Sequence, residues 1–358
     1  MSMKGPYLYV SYGQTNALVR EPYQKVLIGL AIVALILVPF FAGPYVIYLL
    51  NLSFLAVISA VGLNLLTGYC GQVSLGHASF MGIGAFATAI LDNVYSAPFW
   101  LAIPAACAAG GVFGFLVGLP SLRFRGIYLA ITTLAMHYAI VFVLTTYQAN
   151  VGASATAGII VDPPSLWGFS LSDGKQWYIP LLVFSMLVAL FGLNLSRSYV
   201  GRAWIAIRDR DIAAAAMGID VPRFKLIAFV VSAVLAALAG SLGAYFTGVV
   251  TVETYTLELA ILALAMIIVG GLGSIVGSIF GALFITLLPF VIDYGFSALP
   301  RAWRPGTTSY GLQEAAIGIT IILFLLFEPK GLVEIYRRIA EYFERWPFRY
   351  REIQGGGR

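Results

Sequence analysis

The chain has 358 residues, of which 60% are hydrophobic and only 10% charged, and it carries a formal net charge of +5. Soluble domains have about 25% charged residues, and a soluble core cannot hide this much apolar surface, so lipid is the solvent for most of the chain. The basic excess is no sign of nucleic-acid binding, because the positive residues cluster at the ends of apolar runs, where anionic lipid attracts them.

Residues 1–25 are mostly polar and read as a cytoplasmic N-terminal segment. The first apolar run, Val26 to Ala42, lacks an AxA-like cleavage site and reads as an uncleaved span. A span needs about 20 apolar residues. By that measure the remaining spans fall at 46–66, 78–92, 99–119, 127–147, 177–195, 224–247, 257–272, 275–293 and 311–328. All should be helices, since an open sheet edge would strand backbone polar groups in hydrocarbon, and the period-2 alternation of a membrane barrel is absent. The fold class is therefore an all-α polytopic membrane protein of about ten transmembrane helices. Of the 21 Lys and Arg, only Lys175, Arg301 and Arg304 fall in segments this order places outside. The positive-inside rule then puts both termini in the cytoplasm.

Between the second and third spans lies Gly68-Tyr-Cys-Gly-Gln-Val-Ser-Leu-Gly-His-Ala-Ser79, with no charged residue. Polar, irregular backbone at this depth is tolerated only inside protein or beside a water-filled cavity. Gly68, Gly71, Gln72, Ser74, Gly76, His77 and Ser79 are accordingly candidates for lining a translocation path. The alternative is a helix break whose polar groups only satisfy one another. Val269-Gly-Gly-Leu-Gly-Ser-Ile-Val-Gly277 occupies a similar place in the second half and hints at internal duplication. Small residues recur at every fourth position in Gly110/Gly114/Gly118, Gly273/Gly277/Gly281 and Ala236/Gly240/Ala244/Gly248, a spacing that lets helix backbones approach closely.

The outer loop 148–176 is polar and poor in charge. The loop 196–225 is different: it is basic, and from Val200 to Met217 it has helical composition. Gly218 is placed to stop that helix and Pro222 to block its continuation. Ala203, Ile207, Ala214 and Met217 form a prospective apolar stripe, with Arg208, Asp209, Arg210 and Asp211 between. Such a helix suits a groove on a soluble partner, or it is a surface helix that only orients the loop. The tail 331–358 reads as a cytoplasmic amphipathic helix, with Leu332, Ile335, Tyr336, Ile339, Tyr342, Phe343 and Trp346 on one face. It would lie on the inner membrane surface or dock to a soluble partner.

Catalytic, cofactor and metal chemistry have no signature. There is no HExxH, no GxSxG and no cluster of His, Asp or Glu. Cys70 and Cys107 lack metal spacing and read as small buried hydrophobes. His137 sits mid-span as a packing residue or a relay. The nearest approach to a phosphate-binding loop, Gly168 to Gln176, has the wrong spacing and lies on the outer side. Uphill transport would need its energy from another subunit or from an ion gradient.

The stretch Asp211-Ile-Ala-Ala-Ala-Ala-Met-Gly218 resembles the EAA-type coupling segment of ABC importer permeases, with Ala213 where Glu often stands. Four further stretches agree in order: residues 68–86, RGIYLAITTLA at 125–135, YGLQEAAIGITII at 310–322 and FEPKGL at 327–332. Together they resemble the LivM type of branched-chain amino acid importer permease. The family's TGG-x-x-G-like run after the fifth span is here Val151-Gly-Ala-Ser-Ala-Thr-Ala-Gly158, a departure at the outer mouth.

The resemblance implies an ABC importer permease fold, with a transmembrane domain over 26–330 and a cytoplasmic coupling loop at 196–225. It implies multi-pass placement in a bacterial inner membrane. The implied partners are a LivH-like second permease, two ABC ATPase subunits and an extracytoplasmic substrate-binding protein. ATP would be used by the partner subunits, and this chain would hold no cofactor. Arg208, Asp209, Asp211, Ala213, Ala214 and Gly218 would form the coupling contact to the ATPase. Other solutes within the family, such as urea, short-chain amides or other amino acids, are the alternative. An ion-coupled secondary transporter and a channel are the readings from outside it.

Overall fold

The computed structural model describes residues 22–124, 126–151, 158–166, 169–171 and 173–297, together with 311, 315, 318–323, 326 and 331–334. The segment 1–21, the run 152–157, half of the tenth expected span and all but the first residues of the amphipathic tail lie outside the described residues. Arg301, Arg304 and the Gly168 end of the loop resembling a phosphate-binding motif lie outside them too.

The described chain is mostly helical. Helix α1 spans Pro22–Phe41, α2 Pro44–Asn64, α3 His77–Tyr95, α4 Phe99–Ser121 and α5 Ile127–Val151. Helix α6 spans Gly174–Arg197, α7 Tyr199–Ala216, α8 Val221–Thr247, α9 Leu257–Gly270 and α10 Ile275–Ser297. Among the described residues seven helical stretches are long and apolar enough to cross a membrane. They are α2 with its extension to Tyr69, α4, α5, α6, α8, α9 with the turn before it, and α10 to Ile292. Helix α3 is less apolar, because it opens on His77 and Ser79 and closes on Asp92 and Asn93.

Four two-residue strands interrupt the helical pattern. Strand β1 (Ile159–Ile160) pairs antiparallel with β4 (Val249–Val250), and β2 (Ser165–Leu166) with β3 (Phe169–Ser170). They belong to the end of the bundle remote from α7, where connecting backbone must find partners. Side chains finish that work: the Asp162 N–H donates to Asp92 at 2.8 Å, the Asn93 amide to the Ile160 carbonyl at 2.7 Å, and the Val252 N–H to Gln148 at 2.8 Å.

Helices α2 and α8 are the most deeply buried spans. Small residues decide how closely the others approach α8. A Cβ on Gly84 would land on the Ala237 carbonyl, and one on Gly240 on the Met81 carbonyl, so α3 and α8 cross backbone to backbone. On α4, Gly110 and Gly114 face Ala237 and Ala233, and Gly118 faces Leu226. Gly277 and Gly281 of α10 pack the same way against α9 at Gly270 and Met266. The helical members of the four-residue repeats thus act as packing seams, whereas Gly248 and Gly273 stand in left-handed turns beyond the helices. Helix α1 is peripheral and is tied to α6 by the Tyr178 hydroxyl donating to the Leu35 carbonyl at 2.9 Å.

Helix α7 turns sharply out of α6. Ser198 caps it, its hydroxyl accepting from the Gly201 N–H at 3.3 Å. Gly201 is required at this corner, since a Cβ there would collide with the carbonyls of Leu195 and Ser196. Trp204 is fully buried and donates its indole N–H to the Phe224 carbonyl at 2.8 Å, which fastens α7 to the first turn of α8. The helix expected over Val200 to Met217 is interrupted: Arg210 has extended backbone (φ −158°, ψ 104°), so α7 is two helical pieces. Three members of the expected stripe keep to the protein on both sides of the kink, and the last, at the C-cap, leaves it. Ala203, Ile207 and Ala214 are buried, whereas Met217 is 84% exposed. Gly218 terminates α7 in the left-handed region (φ 84°). Pro222 does more than block α7, because it sits in the first turn of α8 behind the Asp220 cap.

Gly240→Ala is expected to destabilise the protein by about 1–3 kcal/mol through overpacking at the α3–α8 crossing. Gly29→Ala, where nothing lies within 4 Å of the new methyl, should stay within about 0.5 kcal/mol of wild type; thermal unfolding of detergent-solubilised protein compares the two. Trp204→Ala should cost about 3–5 kcal/mol and loosen α7 from α8, read as faster proteolytic cleavage between residues 199 and 220.

Candidate functional site

The first glycine segment is a re-entrant break. Helix α2 runs into a π turn, Leu65–Tyr69, closed by the Gln72 N–H donating to the Leu66 carbonyl at 3.1 Å. Gly71 then takes φ 74°, and the chain reverses. His77, the first residue of α3, places its Nε2 3.1 Å from the Ser59 carbonyl and 3.0 Å from the Ser59 hydroxyl. Ser59 stands nine residues before Gly68, about 13 Å back along α2, so residues 70–76 climb into the bundle before α3 begins.

The hydroxyls of this climb and several of its backbone groups bond inside the protein. The Leu75 N–H donates to the Thr133 hydroxyl of α5 at 3.0 Å, and the Ser79 hydroxyl to the Gly76 carbonyl at 2.7 Å. The Gly76 N–H reaches the Ser74 hydroxyl at 3.3 Å, and the Thr67 hydroxyl the Gln72 carbonyl at 3.1 Å. Gln72, Ser74, His77 and Ser79 are all buried. Irregular backbone within a bundle requires this kind of satisfaction.

The second glycine cluster is the turn between α9 and α10, with Gly271 at φ 124° and Gly273 at φ 77°. It lies directly against the first. A Cβ on Gly68 would collide with the Gly273 N–H and with the side chain of Asn64, the residue that joins the two. Fully buried, Asn64 accepts from the Gly273 N–H at 2.9 Å and donates to the Ser274 carbonyl at 2.8 Å and the Ser278 hydroxyl at 2.6 Å. Gly331, from the FEPKGL stretch, packs onto Gly271 so tightly that a Cβ would meet its N–H at 2.6 Å.

Helix α7 reaches the same junction through Arg208. Its guanidinium donates to the Gly68 carbonyl at 2.7 Å, its stem lies on Gly71, and its Nη1 covers Gly273. The bond is charge-assisted and partly buried, the stronger kind. The Asp209 contact of Arg208, at 3.4 Å with both side chains well exposed, is worth little by comparison. Beyond the kink, Lys225 of α8 pairs with Asp211 at 3.7 Å in a largely shielded setting and steadies the second piece of α7. A cleft of about 660 Å³ opens between the break, the start of α5 and α7, lined among others by Gly71, Gln72, Phe124, Arg208, Asp211 and Lys225.

The structure therefore brings together most of the residues singled out in the sequence. Arg208 touches Gly68 and Gly71; Gly71 and Gln72 line the cleft; Ser74, Gly76, His77 and Ser79 lie deeper and are covered. Asp209, Ala213 and Gly218 are exposed, Asp211 is half-buried, and Ala214 is packed inside its own chain. Sequence reasoning passed over Asn64 and Thr133. Their signal was present: a carboxamide or hydroxyl inside an apolar run must find a partner. His137 is buried in α5 against Tyr138, with no hydrogen-bond partner for Nδ1. Among the described residues no three of His, Cys, Asp and Glu gather as metal ligands.

The comparisons with known proteins agree with this architecture. Residues 45–325 match the family described as branched-chain amino acid transport system / permease component. The high-affinity branched-chain amino acid transport system permease protein LivM of Escherichia coli is 29% identical over 88% of this chain and 76% of its own length. A probable LivM of Methanocaldococcus jannaschii is 27% identical over 65% of this chain and 67% of its own. An autoinducer 2 import system permease, LsrC, of an Enterobacter species is 31% identical over 65% and 66%. No solved structure matches the chain. This is a polytopic membrane protein, and it belongs to the permease-component family of the branched-chain amino acid transport systems.

Proposed function

We propose that this chain is the translocating permease subunit of an ATP-driven importer for branched-chain amino acids in a bacterial inner membrane. Its family and the names of its LivM relatives support that reading. In it the chain has about ten transmembrane helices with both termini cytoplasmic, in keeping with where its Lys and Arg fall. Residues 1–25 and 331–358 flank a transmembrane domain over 26–330. The described helices support that topology by alternating between the α7 end, which carries Arg123 and Arg197 to Lys225, and the far end, which carries Lys175.

The observation that carries the coupling role is the two-faced character of α7. One face is anchored in its own chain by Trp204, Ile207 and Arg208, while Ile212 and Met217 stand 77% and 84% exposed beyond the kink. An anchored helix with an apolar tip, flanked by Asp209, Arg210 and Ala213, suits a groove on a soluble ATPase subunit. Two ATPases, a LivH-like second permease and an extracytoplasmic binding protein complete the assembly, and the ATPases hydrolyse the ATP. Closure of the ATPase pair displaces α7, and the helices shift to open the first break alternately to each side. The break offers neutral hydrogen-bonding groups and mobile glycines, a surface that passes a zwitterion without trapping it.

Ile212→Asp and Met217→Glu are expected to cut co-purification of the ATPase subunit about tenfold or more, the cost of losing an interface anchor, with membrane insertion unchanged. Undiminished capture by both variants would remove α7 from the interface. For the path, cysteine placed at Gln72 or Ser74 should react with a water-borne thiol reagent in either the nucleotide-free or the ATP-bound importer. Silence in both states would leave the break a purely structural feature.

A further inference from the structure

The junction of Asn64, Gly68, Gly273 and Arg208 does more than present α7 to a partner. Both glycine turns join spans that run in opposite directions, and each has freed its backbone from helical pairing. They are sewn together by one buried carboxamide, since Asn64 uses its oxygen on the Gly273 N–H and its amide on Ser274 and Ser278. Arg208 covers the outer side of the same seam, with one donor on the Gly68 carbonyl and the guanidinium over Gly273. Gly68 and Gly273 have no room for a side chain of their own, because the Asn64 carboxamide, the Arg208 guanidinium and the facing backbone fill the seam between the two turns.

We infer that Asn64 and Arg208 form a latch that holds the two glycine turns together and ties them to α7, with Arg208 as the releasable half. Asn64 is buried and saturated, a fixed stitch. The Arg208 side chain is 38% exposed, joins α7 through a single bond to a carbonyl, and borders the open cleft. Withdrawal of α7 by a few ångströms removes the guanidinium from both turns at once. The first break then loses its tie to α7 while Asn64 still holds the end of α2 to the second turn, and the cleft extends inward past Cys70. This deepens the coupling reading of α7 and rests on it for the force that moves the helix. The latch itself is a property of this chain alone.

Cys70 supplies a built-in probe, being 2% exposed and at the edge of the cleft. In a Cys107→Ala background, the rate at which a water-soluble maleimide labels Cys70 in the purified chain reports opening of the latch. Arg208→Met keeps the bulk but has no donor, and labelling should accelerate about tenfold or more, the lower range for losing one hydrogen bond from a charged group. Arg208→Lys retains a cationic donor and should restore at least part of the protection. Arg202→Gln, on an exposed part of the same helix, should label at the wild-type rate. Asn64→Ala should accelerate labelling in the same direction, and the Arg208 pair decides the matter if that variant does not insert.

In the assembled importer, Arg208→Met should also lower solute uptake per ATP hydrolysed about tenfold. Unaltered Cys70 labelling in Arg208→Met would overturn the latch, whatever the importer assay reads. Faster labelling with an unchanged ratio of uptake to hydrolysis would overturn it as well, by reducing the bond to local packing. Neither result touches the docking of α7 on the ATPase, which is judged separately by capture with Ile212→Asp.

Discussion

Hydrocarbon offers no hydrogen bonds, and the architecture is arranged around two places where the backbone leaves its helix regardless. At Gly68–Ser79 and at Gly270–Gly277 the chain makes turns that expose N–H and carbonyl groups. Each such group would cost several kcal/mol if left bare. The structure answers with side chains drawn from three separate elements: Asn64 from α2, Thr133 from α5 and Arg208 from α7. Bringing those donors and acceptors to one place dictates which helices must be neighbours. The burial of α2 at the centre of the bundle is one consequence.

Close helix approach is the second condition. Lipid tails are as apolar as the helices themselves, so association relies on packing contacts and not on exclusion from water. Glycines at 84 and 240 let α3 meet α8 backbone to backbone, and glycines at 110 and 114 let α4 approach α8 with nothing larger than the methyls of Ala237 and Ala233 between. Interfaces packed this tightly deform little. A displacement applied to α7 is therefore carried by the indole anchor of Trp204 and by Arg208 rather than absorbed locally. The kink at Arg210 divides the labour along that helix: the piece before it is built into the protein, and the piece after it presents Ile212 and Met217 outward.

In the proposed transport cycle the break between α2 and α3 is both hinge and path. The described conformation covers Ser74, His77 and Ser79 with neighbouring helices and leaves the Cys70–Gln72 edge at the cleft. His77 is held on Ser59, well inside the bundle. Opening such a segment exchanges these internal bonds for bonds to solute and water. That exchange is nearly balanced for neutral groups and would be far costlier for buried charges. The lack of Asp, Glu, Lys and Arg along residues 68–79 fits that requirement.

Much of this was legible in the chain itself. Long apolar runs separated by basic blocks specify helices and their order, because lipid admits little else, and the four-residue spacing of glycines marks the seams. The charge-free run from Gly68 to Ser79 announces a break, and the resemblance of 211–218 to a coupling segment points to α7. Three things escaped. Asn64 looks like one polar residue among many until the fold sets Gly273 and Ser274, more than 200 positions away, beside it. The stripe from Ala203 to Met217 presumes an unbroken 3.6-residue period; extended backbone at Arg210 interrupts it, so that Ala203, Ile207 and Ala214 face inward while Met217, at the C-cap, does not. The short strands at the far end depend on pairing 159–160 with 249–250, which no local pattern encodes. Local periodicity and the solvent choose the elements; which backbone groups they must satisfy in one another is decided only when distant segments meet.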